Sequence, residues 1–155
     1  AFSHDIDCEN SEVRLVCSLA SQLGLEQLVP TLIDYRDRRE YWLDLICNLN
    51  NVERDQAKRL PNIILSGGMY NTWLRKVRQP AYEKRDVKDF ARRLWSEIRA
   101  LRDQLLVHPR FGWTEIERKT LLAQGRQPGL IDNLLMPRIV ASCENEVLGI
   151  MHRCL

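Results

Sequence analysis

From Val87 to Leu105 the chain places Val87, Phe90, Leu94, Ile98, Leu101 and Leu105 at intervals of three and four residues, and Ala91 and Trp95 widen the stripe. Only an α-helix gathers such positions on one face. The stretch RDVKDFARRLWSEIRALRDQLLVH, residues 85 to 108, therefore specifies a helix of about 20 residues and roughly 30 Å. Its other face is charged, so the apolar stripe must be covered by further elements of the same chain or of another.

The remaining segments read the same way. Residues 11 to 23, SEVRLVCSLASQL, align Val13, Val16, Leu19, Ala20 and Leu23, with Asn10 or Ser11 as cap and Gly24 as stop. In LEQLVPTLIDY, Pro30 is expected in the first turn of a helix, the position where proline is tolerated. RREYWLDLICNL turns Tyr41, Trp42, Leu45, Ile46 and Leu49 inward before the turn-rich NLNN. VERDQAKRL precedes Pro61, and Gly67 and Gly68 interrupt NIILSGGMYNTWLRKV before Trp73 restarts the pattern. Beyond His108 and Pro109, Thr114 and Glu117 have the spacing of a capping box, opening a helix that runs to Gly125. The last quarter reads as GLIDNLLMPR followed by ASCENEVLGIMHRC. No segment alternates strictly enough to demand a strand, and the sole β candidate is the apolar run Ile63 to Leu65. The expected fold is all-α, with about eight short helices.

A chain of 155 residues accommodates one ordinary domain or two small helical lobes. The polar stretch QPAYEKR, with Pro80, predicts a linker at residues 78–84 between an N-terminal lobe, 1–77, and a C-terminal lobe, 85–155. The balance of 45% hydrophobic and 28% charged residues is that of a folded protein and not of a disordered tail. No apolar run approaches the roughly 20 residues of a membrane span, and the N-terminus lacks a signal-peptide pattern. Five cysteines, Cys8, Cys17, Cys47, Cys143 and Cys154, are an odd set at irregular spacings. A complete disulfide framework is excluded, and the expected setting is a reducing, cytoplasmic one. Cys143, His152 and Cys154 carry zinc-binding atoms without a CxxC pair, so buried thiols and no metal are expected.

The net charge of +2 is unevenly spread. Residues 1–60 carry 11 acidic and 7 basic side chains, whereas residues 75–102 carry 10 basic and 4 acidic ones. The second stretch has the charge to face RNA phosphates, or to form a solvated helix face laced with Asp86, Asp89 and Glu97. Asp34 and Asp37, set among the arginines of DYRDRRE, are expected to form surface ion pairs.

No Gly-rich phosphate loop, HExxH or GxSxG occurs, so most common enzyme classes and their cofactors lose support. One catalytic pattern stands out. Arg102, Asp103 and His108, in RDQLLVH, resemble the R-x(4–6)-H signature of HEPN-domain ribonucleases. That resemblance implies a dimeric helical bundle in which histidine moves a proton at the RNA 2′-hydroxyl and arginine holds the scissile phosphate. The bland reading of His108 is a cap at the C-terminal end of the long helix.

A second resemblance covers more of the chain. Gln79, Glu83, Phe90 and Arg93, in RQPAYEKRDVKDFARRL, followed by TLLAQGRQPGLIDNLL and CENEVLGIMHR, look like the C-terminal capsid lobe of a retrotransposon or retrovirus Gag protein. LSGGMYNTWL is similar to a segment of the first lobe in Ty3/Gypsy-type members. The resemblance implies a non-enzymatic, self-assembling structural protein that forms homo-oligomers. It also implies a polar network of Gln79, Glu83 and Arg93, and a lobe core of Phe90, Leu94, Trp95 and Ile98. A helical adaptor is the remaining alternative; it requires an exposed apolar groove or patch.

Overall fold

The computed structural model describes residues 11–77 and 84–154, with side chains described over 12–77 and 84–146. Eight α-helices and no strand occur among the described residues. They are α1 (Ser11–Gln22), α2 (Pro30–Asp37), α3 (Arg39–Asn50), α4 (Arg54–Leu65), α5 (Tyr70–Lys76), α6 (Arg85–Leu106), α7 (Trp113–Ala123) and α8 (Pro128–Cys154). Short 3-10 turns, Glu26–Leu28 and Pro109–Phe111, complete the path. The all-α architecture agrees with the apolar spacing.

The chain divides into two compact units between Leu101 and Arg102. The expected linker at 78–84 falls mostly outside the described residues, yet the packing of α6 assigns most of that helix to the first unit. Phe90 is fully buried, stacked on Trp42 at 4.2 Å between ring centroids and tilted against Tyr35 at 6.1 Å. Phe90, Leu94 and Ile98 are therefore core residues of the first unit and not of a lobe beginning at residue 85. Trp95, expected in the same core, is only half-buried. Arg99 lies over its ring at 4.4 Å from the centroid.

Within the first unit, α1 supplies Val13, Val16, Cys17, Leu19 and Ala20 to the core. Pro30 does occupy the first turn of α2. The free amide of Thr31 beside it donates to Glu97 Oε1 at 2.5 Å, a cap delivered from α6 across 66 residues. In α3 the buried set is Trp42, Leu43, Ile46 and Asn50, one position out of phase with the expected stripe at its start. Tyr41 instead points outward, 52% exposed beneath the Arg38 guanidinium. Asn50 is buried and donates to the Tyr70 hydroxyl at 3.0 Å, which also accepts the backbone N–H of Lys84.

Two prolines do not stop their helices. Pro61 lies inside α4, so Ile63 to Leu65 is helical and not a strand. A mid-helix proline costs about 3 kcal/mol, but Ala57, Leu60, Ile64 and Leu65 are buried along that helix, each large apolar side chain contributing about 1.5–3 kcal/mol. The helix ends at the glycine pair. Gly67, at φ 95°, donates to the Ile64 carbonyl and Gly68 to the Ile63 carbonyl, the paired bonds of a Schellman stop. Pro137 likewise sits inside α8, joining into one helix the two segments into which the sequence separates it.

The second unit is a helical hairpin of α7 and α8 with the last turn of α6. Its core contains Leu105, Phe111, Leu121, Ile131, Leu135 and Ile139. Arg118 pairs with Asp132 at 2.5 Å, and Arg138 pairs with Glu117. That pairing removes the expected capping box: Glu117 reaches α8, and the Thr114 hydroxyl donates to the Phe111 carbonyl instead of accepting a helix amide. The helix starts two residues earlier than the box requires, at Trp113, with Gly112 as its N-cap.

Candidate functional site

The ribonuclease-like residues are held by internal bonds. Arg102 is 7% exposed, and its guanidinium donates to Asp103 Oδ1 at 2.9 Å and to Asn133 Oδ1 at 2.8 Å. A phosphate-binding arginine in that role would present its fork to solvent. His108 Nδ1 accepts the backbone N–H of Arg110 at 3.1 Å, so the imidazole caps the 3-10 turn Pro109–Phe111. Its capping role thus serves the turn that follows and not the C-terminus of α6. Asp103 is exposed apart from its bond to Arg102.

Of the capsid-type network, Gln79 and Glu83 lie outside the described residues. Arg93 is exposed on α6 and lines a shallow recess with Tyr41, Trp42, Leu45, Asp86, Asp89 and Arg92. Asp34 accepts two bonds from Arg38, both 2.8 Å, and one from the indole of Trp42, which lines that recess. The Arg38 bonds, aided by the indole, hold the Asp34 carboxyl below its ordinary range. The ion pair expected there is present, with an aromatic donor added.

A second concavity, more enclosed than that recess, lies between the N-terminal end of α5 and the first half of α6. It encloses about 330 Å³ and is lined by Met69, Tyr70, Asn71, Lys88, Ala91, Arg92 and Trp95. Its position follows from the local sequence. The Gly67–Gly68 stop turns the chain sharply, which leaves Met69 as the residue before α5 and 55% exposed. On α6, Lys88, Arg92, Trp95 and Arg99 recur every three or four residues and so share a face. The charged side chains lining the cleft are both cationic, whereas the recess around Tyr41 mixes Asp86 and Asp89 with Arg92 and Arg93, Arg92 being shared by both. Of these residues the stripe on α6 was legible as basic, but Met69 carried no signal beyond a large apolar residue after a turn.

The second unit has a different surface character. Val107, Ile116, Leu122, Leu130 and Leu134 are all exposed, against only Tyr41 and Met69 among the described large hydrophobic residues of the first unit. Leu130 and Leu134 stand one turn apart on α8, and Arg138 follows one turn further on.

Burial drives the thiol groups away from reactivity. The Cys17 pKa is pushed up to about 11 by desolvation, and those of Cys47 and Cys143 are raised for the same reason. Burial also raises the Glu97 carboxyl, with the Thr31 N–H pulling in the opposite direction. Among the described residues no group of three or more His, Cys, Asp or Glu is placed to hold a metal ion. Of Cys143, His152 and Cys154, only Cys143 has a described side chain, and it is buried. Among the same residues no helix is long and apolar enough to cross a membrane. No family model, no curated protein and no solved structure matches the chain.

Proposed function

We propose that this chain is a non-enzymatic, self-assembling structural protein of the capsid-like kind, and that its second unit carries the self-association face. The observation that supports this reading is the set of exposed large apolar side chains on α7 and α8 and at Val107 just after α6, among them Ile116 at 70% and Leu130 at 56%. A hairpin unit this small buries little surface by itself, and Leu130 and Leu134, one turn apart on α8, are the kind of exposed apolar neighbours that pair with another surface. The partner is a second copy of this chain, since assembly proteins reuse one weak patch through symmetric and head-to-tail contacts. The internal commitments of Arg102 and His108 favour this reading over a ribonuclease. Basic residues of 75–102 give such an assembly a place to meet RNA, and the free thiols fit a reducing cytoplasm.

The test is light scattering and negative-stain microscopy of the purified chain at low and near-molar salt, the latter screening repulsion between like-charged copies. Concentration-dependent oligomers that grow with salt and collapse to monomer in Leu130→Glu/Leu134→Glu are expected. A monomer at every concentration in both salts would overturn the reading.

A further inference from the structure

We infer that the cleft between α5 and α6 is a docking site for a short acidic peptide segment with an apolar anchor residue, independent of the self-association face. The cleft holds about 330 Å³, the low end of sites that enclose a ligand, and room for one large side chain. Most of its lining is apolar or aromatic: Met69, Tyr70, Ala91 and Trp95. Met69 is the exposed and adaptable element, because an unbranched thioether side chain reshapes itself around different anchors.

Charge selects the partner's sign. Lys88 and Arg92 are the charged residues lining the cleft, and Arg99 extends the same face one turn beyond Trp95. The Arg92 side chain is 66% exposed, and its pairing with Asp89, at 3.9 Å, is beyond hydrogen-bond distance. A carboxylate entering the cleft therefore meets a guanidinium with donors to spare. Acidic residues flanking an apolar anchor match this arrangement of cations beside a largely apolar lining.

Single-stranded RNA would use the same cations but needs an open aromatic face for base stacking. Both aromatic rings of the cleft already have one face occupied. Arg99 already lies 4.4 Å over the Trp95 ring, and Tyr70 is buried and stacked on Trp73 at 5.8 Å. The lining away from the cations is largely apolar, so the anchor is an aliphatic, thioether or phenylalanine side chain held by contact with Met69 and Ala91.

The experiment is selection of a displayed random 12-residue peptide library on the immobilised full chain, followed by fluorescence anisotropy of the best fluorescein-labelled peptide. Peptides rich in Asp and Glu around one or two of Leu, Ile, Met or Phe are expected to be enriched. Their affinity should fall roughly tenfold in Arg92→Glu and in Met69→Glu, recover in Arg92→Lys, and weaken as salt is raised. Both substituted side chains are solvent-exposed, so the variants should melt with the wild type. Leu130→Glu/Leu134→Glu should bind peptide normally, which separates this site from the assembly reading. The inference is overturned if no acidic peptide is enriched, or if enriched peptides bind Arg92→Glu and Met69→Glu as well as the wild type. It is also overturned if a labelled 12-residue oligouridine binds in an Arg92-dependent way while no peptide does.

Discussion

Phe90→Ala tests the packing of the first unit at its centre. The ring is fully enclosed, stacked 4.2 Å from Trp42 and 6.1 Å from Tyr35. Truncation removes the transfer free energy of the ring and leaves a cavity that its aromatic neighbours cannot fully close. Such substitutions cost about 3 to 5 kcal/mol. About 0.5–1.5 kcal/mol of that belongs to the aromatic arrangement itself. Phe90→Leu, which restores most of the apolar volume, should therefore cost clearly less. At a urea slope of about 1–3 kcal/mol per molar, the alanine variant's midpoint should drop by at least ~1 M. Urea unfolding followed by tryptophan fluorescence measures the size of the loss. Hydrogen exchange locates it: amides of α2, α3 and the first half of α6 should lose protection, because Tyr35, Trp42 and Phe90 share one core. An unchanged midpoint would refute the burial of the ring. Loss of protection confined to α7 and α8 would refute the division of the chain at Leu101.

Glu97 gives a pH-dependent test. Its folded-state carboxyl pKa is raised, chiefly by burial, so its contribution to stability is full below the unfolded-state value and is lost as pH rises through the folded one. Glu97→Gln keeps an oxygen for the Thr31 N–H and cannot ionise, so its melting temperature relative to wild type should rise between pH 4 and pH 7; a flat difference would exclude the buried charge. Glu97→Ala removes the cap as well and should lose about 0.5–2 kcal/mol at either pH by thermal denaturation. His108→Ala should lower stability by a similar cap-sized amount, about 0.5–2 kcal/mol, and alter no RNA cleavage. Cleavage of a fluorogenic RNA by the wild type that disappears in His108→Ala would restore the catalytic reading.

The class of fold was legible because α6 carries its stripe across 22 residues, long enough for periodicity to dominate local noise. The shorter α3 has too few turns for that, and its inward face came out one residue early, exchanging Tyr41 for Leu43. Pro61 and Pro137 read as boundaries because local backbone chemistry disfavours a mid-helix proline; burial along both helices, which only tertiary packing reveals, overrides it. Thr114 and Glu117 satisfied a spacing rule, but the pull of Arg138 from another helix lies outside any local window. The same limit governs the site. The cations of α6 were visible as composition, whereas the cleft exists only because the turn after α4 brings Met69 and Tyr70 against them.

The cap that Glu97 provides for α2 has a consequence for how the protein emerges during synthesis. Domains form from the N-terminus as the chain is made. Here the Trp42 and Tyr35 rings gain their third member only after residue 90 has left the ribosome, and the Thr31 amide of α2 its acceptor only after residue 97. A chain halted at residue 77, after α5, would hold five helices around an open aromatic pocket and an uncapped helix start. The first unit is thus completed by its last helix, and until then the nascent chain presents the kind of apolar surface that chaperones bind.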